Sequence, residues 1–575
     1  MSLISLVKIN KDFGIKPLFT ELSLVVKESE RIGIIGANGT GKSTLLKIMT
    51  GLEDPDSGEV VSQKGTQITY VEQQELFDGS KTLFEGCKSK VLSHDKECDI
   101  QDYEITQGLN LGGFIDLDQK IAELSGGQRK RLAIISAFLT KPNAILLDEP
   151  TNHLDIDSIL WLEDYIEKYR GACVFISHDR YFIERVATRV IELDPRYPGG
   201  YLSAPGGYSA ILEKRDLYLS QLASYQASLK NKVSREVDWL RQGAKARTTK
   251  AQYRIDEAHR LISELNSIDL NQEKAELGFS PSQRRTKELI KVEGISKTYG
   301  DRTLFKNVTF TIVPGARVGI VGANGSGKTT LLKTLIGEIK PDSGKITTAP
   351  NLQVSYFSQL RDSLDETLTV KKALCPEGDA VVFEGRQIHI ITWAKRFLFQ
   401  TDDLNRTVGS LSGGEKAKVL LAKVALEKND ILIFDEPTND LDIQTLEILE
   451  KSFTQYPGGL VLVTHDRYLL DRACTSVIGF KENGVIEVFA DYTQYEISKK
   501  EKSKKPVLSD TDKKELKTIE KKIYNTETKI AGTNAKMELT ENSQDHAKLG
   551  ELTKQLMVLE KELGMLMQRW EELEG

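Results

Sequence analysis

The sequence predicts an α/β protein made of one module used twice, with a helical hairpin between the copies and an antiparallel coiled coil after them. Three observations carry that prediction. A glycine-rich loop, preceded by a short apolar run and followed by a helical opening, occurs at Gly36–Ser43 and again at Gly322–Thr329. Between the modules, Leu222, Tyr225, Leu229, Val233, Val237 and Leu240 recur at steps of three and four, the period of one helix face. At the end of the chain Leu549, Leu552, Leu556, Leu559, Leu563, Leu566, Trp570 and Leu573 keep the same alternation, the seam of a coiled coil.

The bulk properties set bounds. A chain of 575 residues accommodates two modules of roughly 200 residues, each large enough to bury its own core. A formal net charge of −6 excludes a protein that coats nucleic acid over its whole surface, so any such contact must come from a local basic patch. No run of about 18 apolar residues is present, and the N-terminus has no charged-then-apolar leader, so the expectation is a soluble, cytoplasmic protein without a membrane partner. Cys87, Cys98, Cys173, Cys375 and Cys474 are scattered without a C-x-x-C pair, which suggests no zinc or iron–sulfur site and fits a reducing compartment.

Taken in order, the first loop reads Gly36-Ala37-Asn38-Gly39-Thr40-Gly41-Lys42-Ser43 and fits G-x-x-x-x-G-K-[ST]. Its glycines let consecutive backbone N–H groups face a polyphosphate, Lys42 neutralises the outer phosphates, and the Ser43 hydroxyl suits magnesium. Arg31–Ile35 before it reads as a buried strand, and Thr44–Met49 after it as a helix. The second loop, Gly322-Ala323-Asn324-Gly325-Ser326-Gly327-Lys328-Thr329, lies 286 residues on, counting Gly36 to Gly322. Phe13 precedes the first loop at the place where Tyr299 precedes the second, so either ring is placed to stack on adenine or to join a core. Gln73 and Gln359 each follow a strand-like run, where an amide can reach magnesium or an attacking water.

The next motif is Leu124-Ser125-Gly126-Gly127-Gln128 ahead of a helix over about 129–139, matched by Leu411-Ser412-Gly413-Gly414-Glu415. A helix N-terminus of this kind attracts phosphate. With it the chain resembles the ATP-binding-cassette ATPases. The resemblance continues through Ala144–Asp148, an apolar strand ending in Asp148-Glu149-Pro150-Thr151-Asn152-His153-Leu154-Asp155, and its counterpart with Asp435 and Glu436. It implies that Asp148 and Asp435 orient magnesium, that Glu149 and Glu436 polarise the attacking water, and that His178 and His465 contact the γ-phosphate. The family's head-to-tail packing implies two composite sites. The first would join Gly36–Ser43, Gln73, Asp148, Glu149 and His178 to Ser412, Gly413 and Gly414, with Glu415 beside them. The second would join Gly322–Thr329, Gln359, Asp435, Glu436 and His465 to Ser125, Gly126 and Gly127, with Gln128.

Two cassettes on one chain without membrane spans, together with the phrases Glu149–Asp155 and Glu436–Asp442, resemble the ABC-F class, whose members mostly act at the ribosome. The expected organisation is a first cassette over 1–205, a linker with a basic helical hairpin over 206–287, a second cassette over 288–497, a Lys-rich flexible linker over 498–508 and a coiled coil over 509–575. Between residues 241 and 254, at the hairpin tip, Arg241, Lys245, Arg247, Lys250 and Arg254 occur without any acidic residue, a phosphate-binding surface in an acidic protein. Gln73 to Ser125 and Gln359 to Ser412 span nearly equal lengths, so neither half is expected to carry an extra hairpin there. The C-terminal segment resembles that of the Uup branch of ABC-F, linked to DNA as well as ribosomes. Residues 499–529 carry 11 basic and 6 acidic groups and 545–575 carry 4 and 7, so DNA would meet the first helix, and a packing or partner-binding coiled coil is the other reading. The resemblance thus implies an ATPase using ATP and Mg2+, a monomer whose cassettes pair within the chain, and rRNA and tRNA as partners. DNA binding on branched intermediates and antibiotic resistance by ribosome protection are the alternatives.

Overall fold

The computed structural model describes residues 2–13, 16–73, 77–94, 100–152, 154–241, 249–267, 278–279, 286–300, 302–357, 364–438, 441–481 and 484–503, with 522, 526, 529–530, 532–533 and 552–559 beyond. For some of these, Phe13 and Arg241 among them, the side chain lies outside the description. The chain divides into a unit over Met1–Tyr495 and a second over Glu496–Gly575. Of the C-terminal seam, positions 552–559 are helical. The rest of the expected coiled coil lies outside the described residues.

Each cassette is built on a six-stranded sheet. In the first, the strands run in the order Ile68–Val71, Ala144–Asp148, Ala172–Ile176, Arg31–Gly36, Arg189–Leu193, Tyr201–Pro205, parallel except for the last pairing. The second repeats it with Val354–Tyr356, Ile431–Asp435, Gly459–Val463, Arg317–Val321, Ser476–Phe480 and Ile486–Phe489. Ala144–Asp148 and Ala172–Ile176 are buried throughout, which is why both read as continuous apolar runs rather than as alternating ones. A three-stranded antiparallel sheet, Lys16–Lys27, Ser2–Phe13 and Ser57–Ser62, covers each core with its counterpart in the other half.

Register does the positioning. Ile176 stands level with Asp148 on one side and with Ile34 on the other, so the phosphate loop, the Asp148-Glu149 pair and Ser177-His178 all leave the sheet at one edge. Ligands of parallel sheets collect at such carboxyl ends.

The equal lengths of the Gln73–Ser125 and Gln359–Ser412 segments hide a difference. In the first cassette the segment holds two helices, Leu83–His94 and Asp102–Leu111. In the second it shortens to Val370–Leu374 and then forms a two-stranded hairpin, Ala380–Phe383 with Arg386–His389. The expectation of no hairpin there is corrected on this point. Glu384 and Gly385 both take positive φ, 50° and 79°, the two-residue turn that a β-hairpin favours.

The linker begins with one helix, Tyr208–Arg241, of 34 residues, and returns with Thr249–Ser267. Leu229 of the apolar stripe and Ala258 of the returning helix are both buried, and the Tyr225 hydroxyl donates to Glu264. The root of the hairpin is gripped from both cassettes. Tyr208 and Ile211 sit in the first cassette's core, while the Tyr208 hydroxyl and Arg215 reach Glu447 of the second at 2.9 and 3.0 Å, and Arg215 reaches Glu192 of the first at 3.6 Å.

Candidate active site

The phosphate loop bends where the sequence supplies glycine. Gly41 has φ 88° and its α-carbon lies so close to the Phe19 ring that a Cβ would come within 2.7 Å of it, so only glycine starts the helix Lys42–Thr50 here. The Lys42 ammonium folds back over the loop and donates to the carbonyls of Gly36 and Ala37 at 2.9 and 3.1 Å. Lys328 does the same to Gly322 and Ala323 at 2.8 and 3.2 Å. Burial lowers the pKa of both ammonium groups, a tension that an incoming polyphosphate relieves.

Asp148 ends its strand with Oδ2 accepting from the Tyr70 hydroxyl at 3.1 Å, and Asp435 accepts from Tyr356 at 3.1 Å and from Thr329 at 2.9 Å. The next residues, Glu149 and Glu436, take left-handed backbone conformations, φ 48° and 50°, pinned by N–H bonds to Ile176 and Val463 on the neighbouring strand at 3.1 and 2.8 Å. Their carboxylates meet histidines: Glu149 lies 3.1 Å from His178 Nε2 and Glu436 lies 3.2 Å from His465 Nε2. Burial, with the repulsion of Asp148 adding to it and Lys42 opposing it, pushes Glu149 up to about 7. Burial likewise raises Glu436 to about 8. Both histidines are driven down to about 3, first by burial and then by the neighbouring lysine. The imidazoles are therefore neutral at pH 7, and each Glu–His contact is a hydrogen bond rather than an ion pair. Asp148 Oδ1, Glu149 Oε2, His178 Nδ1, Glu436 Oε2 and His465 Nδ1 are buried without a protein partner.

The two cassettes complete each other. A cavity of about 1180 Å3 is lined by Asn38–Thr44, Gln73, Asp148, Glu149 and His178 from the first and by Ser412–Glu415 and Arg406 from the second. The signature helix Gly413–Leu426 enters it N-terminus first, capped by Ser412, whose hydroxyl accepts from the Glu415 N–H. Asp442 crosses the same boundary: it caps the helix Ile443–Gln455, accepts from the backbone N–H of Asn38 at 3.2 Å and pairs with Lys418 at 3.2 Å. Burial alone would raise Asp442, and Lys418 with the Thr445 bonds holds it far below the carboxylate range. On the opposite side Asp155, the cap of Ile156–Lys168, receives the N–H of Asn324 at 3.5 Å. His465 Nε2 also lies 3.2 Å from the Asn324 amide oxygen. Ser125–Gln128 start the helix Gly126–Leu139 with the same capping box, and the described contact between the first cassette and the second phosphate loop is that of Asp155.

Some predicted residues stand apart. Phe13 ends its strand with its side chain outside the description, Tyr299 is half exposed with Lys297 over its ring at 5.5 Å, and Gln359 lies outside the described residues. So do Lys245 and Arg247, and the side chains of Arg241, Lys250 and Arg254. Sequence reasoning gave no role to Asp155, Asp442, Lys130 or Arg406. The first two carried a signal, since each sits seven residues beyond the last strand residue, Asp148 or Asp435, at the start of an amphipathic helix. Lys130 ties the site internally, donating to the carbonyls of Glu72, Gln73 and Asp148 at 2.6, 3.0 and 3.1 Å. In the second half its place is taken by Ala417.

This arrangement offers a lysine and stacked N–H groups to a polyphosphate, unpartnered carboxylate oxygens to a metal and a water, and a helix N-terminus from the other cassette. Both halves match the family model described as ABC transporter, over residues 19–152 and 305–439, and residues 507–575 match the ABC transporter C-terminal domain. The chain is 34% identical to the uncharacterized ABC transporter ATP-binding protein YfmR of Bacillus subtilis, over 100% of this chain and 99% of that one. It is 35% identical to the energy-dependent translational throttle protein EttA of Escherichia coli, over 84% and 93%. It is 32% identical to the ATP-binding protein Uup of Buchnera aphidicola subsp. Schizaphis graminum, over 100% of both. Among solved structures, the complex of archaeal ribosomal stalk protein aP1 with the ribosome recycling factor aABCE1 is similar in fold, with a TM-score of 0.57 and 21% identity over 85% of this chain and 92% of that one.

Proposed function

The chain belongs to the ABC-F family of ATP-binding-cassette ATPases, and from that premise we propose that it is an ATP-driven clamp that acts on the ribosome through its inter-cassette hairpin. The observation that carries the reading is the cavity that gathers the first phosphate loop and the second signature into one wall. ATP held by Gly36–Ser43 touches both cassettes only when they close, so bound nucleotide favours the closed form and its hydrolysis removes that preference. Lys42 leaves the carbonyls of Gly36 and Ala37 for the outer phosphates. Ser43, Gln73 and Asp148 are the residues that would hold magnesium, and the unpartnered Asp148 Oδ1 fits that duty. The metal, when bound, neutralises charge on the phosphate oxygens. Glu149 turns its free Oε2 to the attacking water, held in place by the Nε2 contact of neutral His178, whose ring stands beside the γ-phosphate position. In the second site Lys328, Thr329, Gln359, Asp435, Glu436 and His465 repeat these parts opposite Ser125, Gly126 and Gly127. Phe13 and Tyr299 flank the adenines.

The target is argued from charge and from relatives. In sequence Arg241, Lys245, Arg247, Lys250 and Arg254 fall where the outgoing helix ends and the returning one begins, and a basic stretch there, on helices whose root is locked to both cassettes, suits contact with rRNA or tRNA phosphates in the cytoplasm. EttA, a relative over most of the chain, is named for translation. Branched DNA is the second reading, argued from the excess of basic groups over residues 499–529, 11 against 6 acidic, ahead of a segment that matches the ABC transporter C-terminal domain.

The test is sedimentation of the Glu149→Gln/Glu436→Gln chain with ribosomes and its retention on branched DNA, each with and without ATP. ATP-dependent pelleting that is lost when the five tip residues are neutralised supports the ribosome reading. Retention on DNA alone, abolished by deleting 507–575, replaces it with the DNA reading.

A further inference from the structure

The third residue of the signature helix differs between the halves, Gln128 in one and Glu415 in the other, yet both close the same capping box. Gln128 Oε1 accepts from the Ser125 N–H at 2.9 Å, and Glu415 Oε2 accepts from the Ser412 N–H at 2.8 Å. What changes is charge. A carboxylate in the first turn occupies the positive pole of the helix, the pole that otherwise attracts an anion. Here that pole faces the first phosphate loop across the cavity, so an unbalanced Glu415 would oppose a terminal phosphate.

Arg406 supplies the balance. Its Nη1 donates to Glu415 Oε1 at 2.9 Å and to Asp403 Oδ1 at 3.2 Å, its Nη2 donates to the Ser410 carbonyl at 3.2 Å, and it lines the same cavity as Glu415. Burial would raise the Glu415 carboxyl, but the bonds from Ser412 and Arg406 hold it below the ordinary value and hence ionised. The corresponding node in the first cassette is Gln119. Leu83 N–H bonds the Gln119 carbonyl at 2.9 Å as Val370 N–H bonds the Arg406 carbonyl at 3.0 Å, and each node adjoins a matching strand bridge, Thr82 to Lys120 and Thr369 to Thr407. The corresponding positions therefore hold two neutral residues, Gln119 and Gln128, in one half and an Arg–Glu ion pair in the other, each summing to zero.

We propose that Arg406 is a positioning residue that neutralises Glu415, so that the first nucleotide site, unlike the second, depends on an ion pair to hold the terminal phosphate of ATP. The inference rests on the composite-site reading given above.

The experiment uses the full chain carrying Lys328→Ala, which silences the second loop, and Glu149→Gln, which stops hydrolysis at the first. Equilibrium binding of a fluorescent ATP analogue and of its ADP counterpart is measured in this background. Arg406→Gln should weaken ATP about tenfold and leave ADP within about twofold, because only the γ-phosphate meets the exposed carboxylate. Adding Glu415→Gln, which recreates the pair of the other half, should restore ATP affinity to within about threefold. Equal weakening of ATP and ADP, no weakening, or failure of the second substitution to rescue overturns the proposal. Gly414→Asp separates the two levels of argument. If ATP binding does not feel Gly414→Asp, the composite site itself is wrong; if it does and Arg406→Gln has no effect, only the role of Arg406 falls.

Discussion

Glu149 and Glu436 concentrate most of what the sequence left unsaid about the site. Their place after Asp148 and Asp435 is legible, because an apolar run ending in two carboxylates is a local pattern. Their left-handed backbone is not, since it follows from N–H bonds to strands far away in the chain, nor is the burial that raises them to about 7 and about 8. Replacing both by glutamine should lower ATP turnover by about a hundredfold or more while leaving ATP bound, read by steady-state phosphate release and nucleotide retention. The raised values also give a signed effect on stability. Between pH 4.5 and about 8 the folded chain holds protons on these carboxyls that the unfolded chain has released, so stability falls as pH rises through that window. His178 and His465, lowered to about 3, act the other way and cost stability as pH falls below 6.5. Without nucleotide, the melting temperature of the double glutamine chain should exceed that of the parent at pH 8.5 and match it at pH 5, with a ceiling of about 3 kcal/mol at Glu149 and about 5 kcal/mol at Glu436.

At the scale of elements, the helix Ile443–Gln455 links nucleotide and hairpin. Its cap, Asp442, touches the Asn38 N–H of the first phosphate loop, and about one and a half turns on Glu447 holds Tyr208 and Arg215 at the root of the linker. The helix Tyr208–Arg241 extends about 50 Å at 1.5 Å per residue, so a small rotation at its root becomes a large displacement at its tip. Glu447→Ala should weaken ATP-dependent ribosome binding by about tenfold with ribosome-free ATP turnover kept within about twofold, measured by pelleting and phosphate release. The amphipathic period announced this helix, and the capping residues announced the signature helices. The partner of Glu447 could not be read, because nothing local in the sequence says which charge meets which across two domains. The hairpin Ala380–His389 was missed for a different reason: comparing lengths is blind to a segment that trades helix for strand.

At the scale of the whole molecule, the two cassettes are joined by a repeated set of charges. Arg180 meets Glu450 at 2.8 Å and Asp466 at 3.4 Å and lies over the Tyr468 ring at 4.0 Å; its counterpart Arg467 meets Glu163, and Asp179 at 3.6 Å, beneath Tyr181. Both arginines directly follow the His-Asp dipeptides of the two sites, so the seam between cassettes and the two reaction centres share their backbone. Removing Arg180 leaves buried Asp466 without its cation and half-buried Glu450 with only Arg472 at 4.0 Å, and Arg180→Ala should cost about 3 kcal/mol, seen as a lowered midpoint in urea unfolding. The twofold arrangement was legible in the constant offset between halves. That these arginines would be buried was not, since an arginine beside an aspartate reads equally well as surface.

Two separate copies of one cassette would have to make every contact in duplicate, for symmetry grants neither copy a private interaction. Here Ile443 packs in the cluster that holds Tyr208, and Ile156 in the one that holds Tyr492, but Glu447 has Leu160 as its counterpart. Within one chain the two seams differ: one sets the Glu447 carboxylate at the foot of a long lever, where the other sets the Leu160 side chain against an apolar cluster.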